Sequence, residues 1–328
     1  MSRLFTESFE AQHLLRFSAV TGTIFTTSLI DGVACIGMSG NEMCEATIAA
    51  QSEFYVGFWF RATNSASTIQ LLQWRSGATE LGRLQMNSVT KVMEVVINSV
   101  TVASSTVTLN DTTNYHIEVH VLIDNTVGVV QVKKDAVQII NYSNQDTQPG
   151  ADTTVTVVRW GGINGVAFYD TLVINSTAGT ESNSWTGVVR RKLLTPTGPG
   201  NYVDNWSRNT GASNWQAVDE VPHTSDTDYL FTTTSSLYES FSMLDHGLTN
   251  ATILAVATAV IAKKDSGTSK LIVGIRDNDN STDYMTPAQN LGVSYGVIEE
   301  RRPLDPSTGA AWTLAGANAT EALIVSSE

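Results

Sequence analysis

Charge, cysteine and long apolar runs are all scarce in this chain. Asp, Glu, Lys and Arg make up only 16 % of its 328 residues, and there are just two cysteines. Two thiols cannot build the disulfide scaffold of a small secreted fold. The longest uncharged apolar stretch, residues 251–262, is diluted with alanine and threonine and is far shorter than a bilayer-spanning helix. No apolar run follows Arg3, so the expectation is folding in the cytoplasm without a secretory leader and without membrane insertion.

Chemistry-bearing patterns are scarce as well. Gly32, Gly37 and Gly40 follow neither Walker nor Rossmann spacing. There is no Gly-x-Ser-x-Gly elbow, no Ser/His/Asp arrangement and no heptad seam. Glycoside cleavage on a strand would need paired carboxylates at alternate positions. Glu42 and Glu45 have the wrong spacing for that, and Glu299 and Glu300 fall on opposite faces. The expectation is a non-enzymatic protein with no catalytic residues and no cofactor.

Positive charge is scarcer than negative. Lys and Arg number 19 against 32 Asp and Glu, a net charge of −13. Residues 1–195 hold 12 basic and 16 acidic side chains, and residues 196–328 hold 7 and 16. A phosphate backbone would be repelled, so nucleic acid is not an expected partner.

What is abundant is strand chemistry: threonine, serine and valine with polar turns, over a length that favours two domains. Residues 53–62 put Phe54, Val56, Phe58 and Phe60 on one face and Tyr55, Trp59 and Arg61 on the other, which predicts a central strand covered on both sides. Further strands are expected at 68–75, 91–98 and 100–104, with a tight turn near Asn98-Ser99. Tyr115, Ile117, Val119, Val121 and Ile123 should point inward, and residues 128–133 and 136–142 should form a hairpin around Lys134-Asp135.

Residues 160–175, WGGINGVAFYDTLVIN, release a glycine-rich turn (Gly161, Gly162, Gly165) into an alternating run. Val166, Phe168, Asp170, Leu172 and Ile174 would share one face, which makes Asp170 a carboxylate among apolar groups. It must sit at a rim or accept backbone hydrogen bonds. This run, with the coda from Asn183 to Gly187, resembles the closing strand of concanavalin A-like or laminin-G-like domains in tailed-bacteriophage virion proteins. The meander before it is similar to the lectin-like jelly roll. The resemblance covers residues 1–190.

Two prolines and two glycines in residues 195–200 mark a linker between a first β-sandwich, 1–194, and a second, 201–328. Second-domain strands are expected at 228–233, 237–243, 252–263, 270–276, 293–301 and 321–326, the third of which could also be helical. Residues 305–313, DPSTGAAWT, resemble the carboxy-terminal half of phage structural proteins. Locally they predict a turn at Asp305-Pro306 and a short helix over 310–319 anchored by Trp312. Together the two resemblances imply a virion protein, either a head decoration or a minor tail component. They imply several copies on a symmetric particle, other virion proteins as partners and a lectin-like domain facing outward. An adhesin that recognises host glycans is the alternative, and a depolymerase a third reading.

Several residues are candidates for particular roles. Trp74, Trp160 and Trp185 could contact glycans or pack in the core. His116, Glu118 and His120 alternate on one strand face and could hold zinc, but an exposed polar face explains them without a metal. Asp277, Asp279 and Asp283 resemble a calcium run, but it lacks the glycine and distal glutamate of an EF-hand, so a solvated hairpin tip is the favoured reading over a metal site, as it is for Asp219, Asp226 and Asp228. Cys35 and Cys44 lie symmetrically about Ser39-Gly40, so a two-residue hairpin would pair them at about 4.5 Å between Cα atoms. A disulfide is conceivable there, and cytoplasmic folding favours two buried thiols.

Overall fold

The computed structural model describes residues 3–30, 33–63, 66–161, 165–279 and 281–328. Gly32 and Gly162 lie outside them. The chain is all-β apart from short helical turns, and it divides into two compact units, Met1–Arg191 and Lys192–Glu328.

In the first unit the strands are β1 (Arg3–Glu7), β2 (Ala19–Thr21), β3 (Phe25–Ile30), β4 (Val33–Ser39), β5 (Met43–Gln51), β6 (Glu53–Thr63), β7 (Ile69–Ser76) and β8 (Thr79–Met86). They continue as β9 (Val92–Ile97), β10 (Val100–Thr108), β11 (Tyr115–Leu122), β12 (Gly128–Lys134), β13 (Val137–Gln145), β14 (Val155–Gly161) and β15 (Val166–Ser176). Among the described residues they form two antiparallel sheets. One runs β13-β12-β11-β6-β15-β4-β3 with β1 also on β15, and the other runs β10-β9-β8-β7-β14-β5-β2. A single core drawn from both sheets makes this a sandwich: Phe54, Val56, Phe58, Phe60, Ile117, Val119 and Val121 face Leu72, Trp74, Leu84, Val95, Val158 and Trp160.

Alternation predicted most of these strands, and β6 is central between β11 and β15, as its two aromatic faces required. Asn98 and Ser99 both take positive φ at the β9–β10 turn. The β12–β13 hairpin turns at Asp135-Ala136, one residue beyond the expected pair.

On β15 the expected single face is broken. The pairing with β6 slips between Asp170 and Val173, and Thr171 has a φ of 48°. This bulge inserts a residue and so exchanges the two faces. Val166 and Phe168 therefore pack outside with Ile30, Cys35 and Trp59, whereas Leu172 and Ile174 enter the core. Asp170 lies on the outer side, opposite Trp59.

The cysteine hairpin does not form. Cys35 is on β4 in one sheet and Cys44 on β5 in the other, and both are buried free thiols. The chain crosses between layers at Ser39-Gly40 because Cys44 and Ala46 are needed in the core beside Trp160.

In the second unit the strands are β16 (Pro196–Pro199), β17 (Ser207–Arg208), β18 (Leu230–Phe231), β19 (Tyr238–Met243), β20 (Val256–Ala262), β21 (Lys270–Asp277), β22 (Thr282–Met285), β23 (Gln289–Asn290), β24 (Gly296–Arg302) and β25 (Thr320–Ser327). A sheet ordered β16-β19-β25-β21-β22 shares a small core with the β20–β24 pair, through Phe241, Leu271, Val273, Ile324 and Ile298. Residues 252–263 are strand where they are regular, not helix.

The Pro/Gly stretch is not a bare linker. Pro196–Pro199 forms an edge strand on β19, a position where missing amide donors cost little. The helix α1 (Leu314–Asn318) follows a turn in which Asp305 Oδ1 accepts from Ser307 N at 2.9 Å. Trp312 is buried with Ile275 and Ala317 and donates its Nε1–H to Arg302 O at 2.8 Å.

Candidate functional site

The outer face of the β13–β3 sheet holds the side chains that alternation turned away from the core. β6 contributes Tyr55, Gly57 and Trp59; β11 contributes His116, Glu118 and His120; β15 contributes Asp170. The residues expected to form an exposed polar face are not exposed: His116 is 1 % and Glu118 2 % accessible. They are covered by the segment that leaves β15, residues 177–191, which folds back over the sheet as a strap.

Each contact of this strap is specific. Thr186 Oγ1 and Gly187 N both donate to Glu118 Oε1, at 3.2 and 2.8 Å. Trp59 Nε1–H donates to Val189 O at 3.2 Å, and the Arg190 guanidinium lies 3.6 Å from the Trp59 ring centre. Arg190 Nη1 also reaches Asp170 Oδ2 at 3.1 Å, while Asp170 Oδ1 accepts from Thr171 N at 2.6 Å. Burial nevertheless raises the Asp170 carboxyl to about 7. Burial also lowers the pKa of His116, and neither of its ring nitrogens has a hydrogen-bond partner among the described residues. The zinc arrangement does not assemble: the described residues hold no cluster of three metal-ligating side chains.

Beside Thr186 the face is half-open, and of the three candidate tryptophans Trp185, on the strap itself, lies on it. Asn175, Tyr55, His120, Gln131 and Asn141 stand opposite one another on five neighbouring strands. The Tyr55 and His120 rings stack at 4.3 Å and 10°. Trp185 packs against both, at 5.5 and 5.9 Å, with Lys133 Nζ 3.8 Å from its ring centre. His120 Nε2 meets Glu53 Oε1 at 2.8 Å and its Nδ1 meets Gln131 Oε1 at 3.3 Å; Gln131 in turn donates to Asn141 Oδ1 at 3.0 Å. An aromatic platform thus runs directly into a polar row, which is the combination that offers stacking and directional hydrogen bonds to a polar ring.

Trp74 and Trp160 are not part of any surface. Both are fully buried in the core, Trp74 against Gly82 and Trp160 against Phe5 and Phe17. Strand alternation placed them inside, and the aromatic residue type alone could not distinguish them from Trp185.

In the second unit the calcium run comes apart. Asp283 is held by Arg276 at 2.6 Å and by the Tyr202 hydroxyl at 2.7 Å, while Asp277 Oδ1 accepts from Asp279 N at 2.9 Å. The carboxylates serve the β21–β22 turn and do not converge. Asp226 pairs with Lys263 and Tyr295, and Asp228 with Thr210. In this unit sequence reading missed two buried carboxylates: Glu239 accepts from the backbone N–H groups of Asp204, Asn205 and Trp206, and Glu321 from Asn201 N and Ser240 Oγ. They pin the loop after β16, and each stands alone on its strand, so no spacing signalled it.

No protein-family model matches this chain. No curated protein matches it. Solved structures that resemble it include the alginate lyase Aly36B, with a TM-score of 0.41 at 10 % identity over 55 % of this chain and 99 % of that one. Domain 4 of AbnA, an extracellular arabinanase from Geobacillus stearothermophilus, in complex with arabinotriose, gives 0.39 at 15 % identity over 56 % and 96 %. A carbohydrate-binding module from Bacillus subtilis gives 0.35 at 12 % identity over 48 % and 94 %. Scores of this size describe a general likeness of form and say nothing of a shared ligand.

Proposed function

We propose that this chain is a non-enzymatic glycan-binding protein whose first unit contacts sugar with the platform of Tyr55, His120 and Trp185. The observation that carries the reading is the Tyr55–His120 stack beside Trp185, continued by Gln131 and Asn141 as a row of amides. A pyranose ring offers an apolar face to such a platform and hydroxyls to the amides. The carboxylate nearest the platform, Glu53, is engaged by His120, which suits holding a ligand better than protonating one. A glycan array with the full chain tests this. Binding that falls about tenfold or more, roughly 1.4 kcal/mol, in both Trp185→Ala and His120→Ala is expected; an array without signal overturns it. Release of reducing ends from a bound polysaccharide would replace the non-enzymatic reading with a depolymerase.

The finer proposal is that the chain is carried in several copies on a tailed-phage virion, as a head decoration or minor tail protein. It rests on the resemblance of residues 160–175 and 305–313, in that order, to such proteins. Immunogold labelling of purified particles tests it, and particles free of label would end it. Copy number per particle then separates decoration from tail.

A further inference from the structure

The second sheet of the first unit carries an ordered polar surface of its own, away from the strap and the platform. Glu45 on β5, Arg159 on β14, Gln73 on β7 and Arg83 on β8 face one another on successive strands. Arg159 donates to Glu45 Oε1 at 2.6 Å and to Gln73 Oε1 at 3.1 Å, and Gln73 Nε2 donates to Glu80 Oε2 at 2.6 Å. Arg83 joins Glu80 at 2.7 Å and Gln85 at 3.0 Å, and Glu94 accepts from Gln85 and Asn87, each at 2.8 Å. One unbroken relay crosses five strands.

Stability does not account for it. Ordering long side chains such as Arg, Gln and Glu costs each up to about 2 kcal/mol of rotamer freedom. Ion pairs that reach solvent return only about 0–1 kcal/mol; Glu45, Glu80, Arg83 and Arg159 each keep 19–29 % of their side chains accessible, around a Gln73 that is itself buried at 6 %. An array ordered at such cost is a preorganised one, which spares a polar ligand that cost on binding.

Its charge identifies the ligand class. Arg75 joins the row by donating to Gln73 Oε1 at 3.2 Å, so Glu45, Glu80 and Glu94 are matched by Arg75, Arg83 and Arg159 and the row carries no excess of either sign, within a chain of net charge −13. A polyanion would meet a carboxylate beside every guanidinium. Hydroxyl groups, which both donate and accept, fit alternating amides, carboxylates and guanidiniums. Neighbouring strands lie about 4.8 Å apart, close to the length of one pyranose in an extended polymer.

We propose that this face is a second binding surface, independent of the Trp185 platform, for an uncharged polyhydroxylated polymer lying across strands β5, β14, β7, β8 and β9. Native gels of the full chain containing hydroxyethylcellulose, galactomannan or mixed-linkage β-glucan, with polygalacturonate as the charged counterpart, test it. At least one neutral polymer is expected to retard the protein. Gln73→Ala and Arg83→Met should each weaken that retardation about tenfold. Arg83→Met keeps the stem packing and remains informative if Gln73→Ala folds poorly, as read by thermal melting. No retardation by any neutral polymer, stronger retardation by polygalacturonate, or variants of normal stability that bind like wild type would each overturn the proposal. Loss of retardation in Trp185→Ala alone would do the same and leave the platform reading standing.

Discussion

Thr186 sits directly on Gly57. A Cβ added at Gly57 would come within 2.0 Å of Thr186 Oγ1, so glycine in the middle of a central strand is the opening through which the strap reaches Glu118. A residue that ordinarily weakens a strand is here required by a close approach.

Gly57→Ala should therefore lift the strap and leave the sandwich itself intact. Overpacking of this kind costs about 1–3 kcal/mol. Limited proteolysis should newly cut within residues 177–191, and the urea midpoint should fall. A variant with wild-type protection and midpoint would show that the strap does not depend on this contact.

Asp170 makes stability depend on pH in an unusual direction for a carboxylate. Its pKa rises from 3.8 to about 7, so the folded protein holds this proton more tightly than the unfolded chain does. Its contribution is fully present below pH 3.8 and is lost as the pH rises towards 7, at a slope of at most about 1.4 kcal/mol per pH unit. His116, whose pKa burial lowers, acts oppositely, losing its contribution as pH falls. Urea midpoints of wild type and Asp170→Asn at pH 4.5 and 8 isolate the first effect. The variant should gain on wild type between the two, and parallel profiles would refute the assignment.

The two thiols should be unreactive in the native state. Both cysteines are fully buried, and burial raises both thiol pKa values. Titration with a thiol reagent should count two reactive groups in denaturant and none without it. A non-reducing gel showing an internal disulfide would contradict the placement of Cys35 and Cys44 in different sheets.

Asp283→Asn should destabilise the second unit without any reference to calcium. It removes the charge that faces Arg276, whose side chain is only 8 % accessible, and breaking such a half-buried pair costs about 1–3 kcal/mol. Thermal melts should show this loss, and chelator should leave the wild-type melting temperature unchanged. A drop on adding chelator would restore the metal reading.

Period-two alternation is local, so it was readable wherever one strand face is buried. It located β6, β7, β9, β11, β12, β19, β21 and β25 within a residue or two, put Phe54, Val56, Phe58 and Phe60 on one shared face, and identified Tyr115, Ile117, Val119, Val121 and Ile123 as inward-facing. It failed where one extra residue intervenes: the bulge at Thr171 left Asp170 outside while Leu172 and Ile174 turned in. It also failed for His116 and Glu118, because polar residues on an outer face look solvated until another segment covers them. The relay from Glu45 to Glu94 was legible only as unremarkable polar positions on five separate strands.

Composition and alternation by themselves determined an all-β chain, the inward sets of its main strands and the absence of the commonest catalytic spacings, because each depends on residues adjacent in sequence. Tertiary structure decided the rest. It sent Cys35 and Cys44 to different layers, buried Trp74 and Trp160 while leaving Trp185 half-open, and laid residues 177–191 over Gly57. These outcomes depend on which strands become neighbours, and that is set by how two sheets can share one core rather than by any stretch of chain alone.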